Sequence, residues 1–289
     1  MLDPRIHGLT VGNHRMACTE CDKGKSDTAL SVDVRADGSA VWWCFRCHAH
    51  GGIRGDRVLT AHRGDRAPAA PAGPDPREEA KKQASAIAAC RAIWKQVQPL
   101  AGTLGEDYLR LRHCALPPAD GDLRFHAALF CPEIGHDLPA LVAKVTTVTA
   151  NKAIGLHRIW FRPGEPKAIK KMRLGASDAP VCIRLWPDDA VTLGLGIAEG
   201  VETALAAAQA FKPMWSTIDA GQMAKFPLVA GIESLTVFTD YDKAGLDAAK
   251  AVGQRYMKAG RNANVLRPQF VGEDFNDVIS KAINENAHG

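Results

Sequence analysis

Three carboxylates stand where a chain could use them together. Glu199 follows a short apolar run, Thr192 to Ala198, and a second run, Ser234 to Thr239, leads into Asp240 and Asp242. If both runs are strands of one parallel sheet, their carboxyl ends open on the same crevice, the place where open α/β sheets bind ligands. Carboxylates that close repel one another unless a cation lies between them. Hard divalent ions take oxygen ligands of this kind, with substrate phosphates completing the shell. The expected chemistry is metal-dependent phosphoryl transfer.

A second constellation is made of sulfur. Cys18, Cys21, Cys44 and Cys47 form two Cys-x2-Cys knuckles, each presenting two thiolates to one point, and two knuckles complete a tetrahedral S4 zinc site. Residues 29–34 alternate like a strand, Asp37-Gly38 is a hairpin turn and residues 40–45 make the return strand. The motif reads as a zinc ribbon with one structural Zn2+, His48 and His50 flanking it as bystanders. The metal serves as a folding staple for a segment too short to build its own core. The aromatic residues Trp42, Trp43 and Phe45 either cover the hairpin or stack on unpaired bases, with Arg46, Arg54 and Arg57 on phosphates. The other four cysteines, Cys90, Cys114, Cys131 and Cys182, read as buried thiols.

The elements that must position these groups follow in order. Residues 1–60 form the zinc ribbon, and the Pro/Ala/Gly-rich stretch 61–77 reads as a semi-extended linker. In the basic α+β segment 78–190, helical periodicity covers 78–98 up to Pro99, and a short helix runs through 107–112. A hairpin spans 138–163, turning near Asn151-Lys152. Between Lys144 and Arg173 lie eight Lys/Arg against one acid, Glu165, a surface suited to phosphates without sequence selectivity. Residues 191–289 alternate strand and helix: strands at 192–198, 214–218, 235–239 and 263–266, helices at 201–211 and 244–259, a helical turn at 222–226, and a closing helix after the acidic segment 272–277. The expected class is α/β with a parallel sheet in this last domain.

The composition, 46% hydrophobic and 24% charged, is that of a soluble globular chain. No apolar run reaches membrane-spanning length, and the N-terminus lacks a signal-peptide pattern, so the expected location is cytoplasmic, with no membrane partner. Residues 61–190 carry 19 Lys/Arg against 14 Asp/Glu, and residues 191–289 carry 9 against 11. An acidic site beside a basic surface suits an enzyme that holds metal ions and a polyanion together. The sequence contains no G-x4-G-K-[ST], so no P-loop motor is expected in it.

Glu199-Gly200 after a strand, followed by Asp240-Tyr-Asp242-Lys-Ala-Gly245, resembles the TOPRIM domain of bacterial-type primases, topoisomerases and some nucleases. The resemblance implies that Glu199, Asp240 and Asp242 bind Mg2+ or Mn2+ and that Glu199 also serves as a general acid or base. The order zinc ribbon, basic segment, TOPRIM is similar to DnaG-type primases, most closely those of phages and mobile elements. Cys44-Phe-Arg-Cys47-His-Ala-His-Gly-Gly resembles that family's second knuckle. Tyr108-Leu-Arg-Leu-Arg112, Gly155-Leu-His-Arg158 and Lys170-Lys-Met-Arg-Leu-Gly175 resemble its polymerase core, and Gly272-Glu-Asp274-Phe-Asn-Asp277 its third acidic motif. The resemblance implies RNA primer synthesis from NTPs on single-stranded DNA, with Lys171 catalytic. Arg158, Lys170, Arg173, Lys243, Trp43 and Arg46 would contact template or nucleotide, Asp274 would be a further metal ligand, and a separate replicative helicase would unwind. Thr203 stands where the family often has Asp, with Glu202 one position earlier, and Lys243 stands where Arg is common. A TOPRIM-type nuclease and a non-catalytic single-strand-binding accessory protein are the alternatives.

Overall fold

The computed structural model describes residues 8–21, 28–47, 49–53, 76–175 and 179–287. The expectations for His48, Arg54, Arg57 and linker residues 61–75 lie outside them. The chain divides into two compact units, Met1–Gly73 and Pro74–Gly289.

In the first unit four antiparallel strands, β1 (Gly12–Met16), β2 (Leu30–Val34), β3 (Ala40–Cys44) and β4 (His50–Ile53), lie in sequence order. The β2–β3 turn forms because Gly38 adopts a left-handed φ of 76°, which glycine accepts without steric penalty, while the Asp37 carboxylate accepts from the Ser39 amide at 2.9 Å. Among the described residues the core cluster of this unit is small: Cys18, Leu30, Val32, Ala40 and Cys44.

The second unit opens with α1 (Pro76–Trp94) and α2 (Leu104–Leu111). An antiparallel sheet follows, ordered β5 (Leu123–Cys131), β6 (His136–Thr147), β7 (Ala153–Phe161), β8 (Ala168–Leu174), with β9 (Val181–Cys182) paired to β6. The hairpin expected over 138–163 is β6–β7, and it turns at Asn151, whose φ is 48°. Helix α1 ends four residues before the expected stop. Gln98 is drawn into a two-way backbone bridge with Phe125, and a residue preceding proline favours that extended form.

The last part is the parallel sheet: β10 (Gly194–Ala198), β11 (Met214–Ser216), β12 (Ser234–Phe238) and β13 (Asn262–Leu266), ordered β11-β10-β12-β13. Its helices are α3 (Val201–Ala207), α4 (Ala220–Lys225), α5 (Lys243–Lys258) and α6 (Phe275–Ala287). The two sheets share a core. One buried cluster joins Tyr108, Leu109, Phe125, Ile159 and Phe161 to Val201, Ala204, Leu205 and Phe238, so the stretches expected as successive domains fold as one body. No helix among the described residues is long and apolar enough to cross a membrane.

Candidate metal and phosphate site

Strands β10 and β12 are neighbours, parallel and in register, Ala198 opposite Phe238. Both are short and apolar because both faces of this sheet are covered. Side by side, they deliver Glu199 and the Asp240 loop to one edge. After Glu199 the chain enters α3, with Gly200 as its cap. After Phe238 it runs Thr239, Asp240, Tyr241, Asp242 and enters α5, whose N-cap is Asp242, the Oδ1 atom accepting from the Gly245 amide at 2.8 Å. A Cβ at Gly245 would lie 2.6 Å from Thr239 Oγ1 and 2.9 Å from Asp240 O. The glycine of the Asp-x-Asp-x-x-Gly motif therefore lets the helix start lie directly against the acidic loop.

Two further acids reach the crevice. Asp274 belongs to the loop before α6, tied to the Asp240 loop by backbone bonds from the Tyr241 amide to Glu273 O (3.2 Å) and from the Gly272 amide to Tyr241 O (3.0 Å). Asp274 and Asp277 also cap α6 reciprocally: the Asp277 amide donates to Asp274 Oδ1 at 2.9 Å and the Asp274 amide to Asp277 Oδ2 at 3.2 Å, the capping-box arrangement. Asp219 is not among the acids expected from the sequence. It follows β11 as Glu199 follows β10, an acid just past a short apolar run, and that repeated grammar is the signal that marks it. Ile218 before it holds a left-handed φ of 72°, costly for a β-branched residue, and the Ser216 hydroxyl donates to Glu199 O at 2.8 Å.

The electrostatics are those of a site short of positive charge. Burial, then Asp240, Asp242 and Asp219, pushes the Glu199 carboxyl up to about 7. Burial, then Asp274 and Asp242, pushes Asp240 up to about 6, against the opposing charge of Lys171. Asp240 Oδ1 is buried without a hydrogen-bond partner, and buried acceptors are rarely left so. The donor set suits a hard divalent cation. The oxygens are not drawn together as the thiols are: among the described residues, only Cys18, Cys21, Cys44 and Cys47 have three or more ligand atoms within 4.8 Å of one another. That sulfur cluster fits zinc, and the Arg46 and Cys47 amides approach Cys44 Sγ at 3.4 and 3.5 Å.

The basic strip divides between two faces, because side chains alternate along a strand. Lys171 pairs with Ile159 and Arg173 with His157 across β7–β8, on the face that shares its core with the parallel sheet. Lys171 forms an ion pair with Glu202. Arg173 senses Asp219 and keeps two buried guanidinium nitrogens, Nε and Nη2, without a hydrogen bond. Arg158 and Lys170 lie on the other face, with Leu156 and Trp160 toward α1. Arg158 is buried, its guanidinium 4.9 Å from the Trp160 ring, and Lys170 pairs with Glu133. The structure does not bring these two to the crevice. Lys243 also turns away, to Asp247 at 2.7 Å on the exposed side of α5. In the zinc unit, Trp43 stacks on His50 with centroids 5.2 Å apart. Arg46 lies against the first knuckle, its Nη1 3.5 Å from Cys21 O. Phe45, 60% exposed, carries the Arg15 guanidinium at 4.4 Å.

His157, between Lys171 and Arg173, is buried, and burial followed by the Lys171 charge pushes its imidazole down to about 4. The unfolded chain takes up that proton first as pH falls. Stability present above pH 6.5 should therefore be lost between 6.5 and 4, by about 3 kcal/mol at most. Urea midpoints across that range should fall less for His157→Gln than for the wild type; parallel curves would refute the assignment.

Residues 194–285 match the Toprim domain family, and residues 84–179 match a domain of unknown function (DUF7146). No curated protein matches the sequence. Among solved structures, the zinc-binding and RNA polymerase domains of the Aquifex aeolicus primase align at 12% identity and a TM-score of 0.43, over 97% of this chain and 78% of that one. The primase fragment of the bacteriophage T7 primase-helicase aligns at 12% and 0.41, over 96% and 98%. The RNA polymerase domain of Mycobacterium tuberculosis DnaG aligns at 14% and 0.37, over 72% and 81%. Glu199, Asp240 and Asp242 all lie within the stretch that matches the Toprim domain.

Proposed function

We propose that the chain is a DNA primase, making short RNA primers from NTPs on single-stranded DNA. The observation that carries this reading is the pairing of an acidic crevice with a basic sheet face: the Lys171 charge acts on Asp240 and Arg173 interacts with Asp219 within one folded unit. Glu199, Asp240 and Asp242 would hold Mg2+ or Mn2+, with Asp274 beside Asp240. Bound there, such ions neutralise charge on transferring phosphates and activate the attacking hydroxyl.

The chain's own residues do the rest. Lys171 meets the triphosphate as a point charge, and Arg173 offers its two unpaired donors to phosphate oxygens in a fork that lysine lacks. Glu199 would also accept the proton of the primer hydroxyl, the general-base role that the Toprim resemblance implies. The zinc unit presents Trp43, Phe45 and Arg15 to the template, by stacking and charge. Duplex unwinding falls to a separate helicase.

The test is incubation of the chain with single-stranded DNA, labelled NTPs and Mg2+ or Mn2+. Oligoribonucleotides made without a primer are the expected product. A shortened template without synthesis would replace this reading with a nuclease, and template binding with neither would replace it with an accessory protein.

A further inference from the structure

Three stretches far apart in the sequence meet on one buried carboxylate that the acidic crevice does not use. Glu202, in the first turn of α3, has a side chain only 4% exposed. The Tyr108 hydroxyl donates to its Oε1 at 2.5 Å, Arg112 Nε lies 3.5 Å from the same oxygen, and Lys171 forms an ion pair with Oε2. Burial alone would raise the Glu202 carboxyl, but Lys171, Tyr108 and Arg112 together bring it below the usual carboxylate range. It is ionised and enclosed.

A buried anion is tolerated only with its partners in place, and here the partners are themselves fixed. Tyr108 stacks on Phe161 with centroids 4.4 Å apart. The segment after α2 is strapped down by the Asn276 side chain donating to Arg112 O, and by the Ala115 amide donating to Leu205 O at 2.9 Å. Lys171 is the exception among these groups. Its side chain is 47% exposed, and its charge reaches Asp240. One end of the cluster is therefore rigid and dry while the other opens on the crevice. A lysine has a long flexible stem and loses much rotamer freedom when its ammonium must occupy one place; an anchored carboxylate beneath it supplies that constraint before any ligand arrives.

We propose that Glu202 is a positioning residue. Its carboxylate, gripped by Tyr108 and Arg112, holds the Lys171 ammonium at the edge of the Glu199–Asp240 crevice, ready for the phosphates of an incoming nucleoside triphosphate. The proposal rests on the triphosphate reading above and assigns Glu202 no metal.

Binding of a non-hydrolysable nucleoside triphosphate analogue with Mg2+, measured by calorimetry on the full chain, tests it without requiring synthesis. Lys171→Ala should weaken binding by about tenfold or more, as expected when one hydrogen bond to a charged group is removed. Glu202→Gln should weaken it comparably, and the double variant should bind no worse than Lys171→Ala alone. That non-additivity is what a merely structural role would not produce. Tyr108→Phe, which removes one hydroxyl, should give a smaller loss that likewise vanishes in the Lys171→Ala background, and it serves if Glu202→Gln fails to fold. Wild-type binding with an unchanged Glu202→Gln, or losses that simply add, would overturn the positioning role alone. No binding by the wild type would overturn the triphosphate reading and this proposal with it.

Discussion

Asp240→Asn should abolish primer synthesis and, in magnesium-free buffer, make the protein harder to unfold. The first effect follows from the donor set. Asp240 has a buried oxygen that no protein group satisfies. An amide in its place is a poor ligand for a hard cation, and loss of metal-borne charge stabilisation should cost at least about a thousandfold in rate, some 4 kcal/mol. The second effect has the opposite sign. The folded-state pKa of Asp240, about 6, stands above the ordinary 3.8, so the fold takes up a proton more readily than the unfolded chain. Its ionised form therefore costs stability at every pH above about 6. That cost shrinks as pH falls toward 4 and is gone below it. Because the side chain is partly open to solvent, screening leaves a gain on the order of 1 kcal/mol for the variant. Thermal unfolding at pH 8 should show the variant ahead of wild type and the gap closing near pH 4. A variant that keeps synthesising, or that is less stable at pH 8, would remove Asp240 from the metal site.

Cys44→Ser should empty the zinc site and unfold the first unit while leaving the second intact. The core cluster of that unit's described residues, Cys18, Leu30, Val32, Ala40 and Cys44, includes two of the four candidate zinc ligands, so the metal site and the core are nearly the same object. Structural zinc contributes about 10–16 kcal/mol in comparable small modules, far more than so few apolar side chains supply. Metal analysis should fall from one zinc per chain to almost none. Limited proteolysis should then digest residues 1–73 and spare a fragment beginning near Pro74. Full zinc content in the variant would refute the four-thiolate site.

The two ends of the chain are legible in the sequence for a common reason: their chemistry is local. Two knuckles and a hairpin turn lie within 30 residues, and Glu199 and Asp240 each sit directly after an apolar run. The parallel strands lie within a few residues of their expected bounds. The middle is harder. Strand β8, Ala168–Leu174, has three charges in seven residues and reads as part of a phosphate-binding basic strip rather than as a strand, and β5 is not anticipated at all. Whether Lys170 or Lys171 faces the acids depends on register against β7, which no local pattern states. Glu202 reads as a near miss of an expected aspartate, because its partners Tyr108, Arg112 and Lys171 come from elements whose docking no spacing records.

The shared core has a bearing on how the chain can be divided. The two matched families meet this chain as separate stretches, 84–179 and 194–285, yet Val201, Ala204 and Leu205 of α3 are buried together with Tyr108, Leu109 and Phe161. A Toprim domain transplanted without its neighbour would carry that apolar face into water and Glu202 without its cations. In this chain the two stretches are therefore one packed object, and separating them would require new surfaces on both sides of the seam at once.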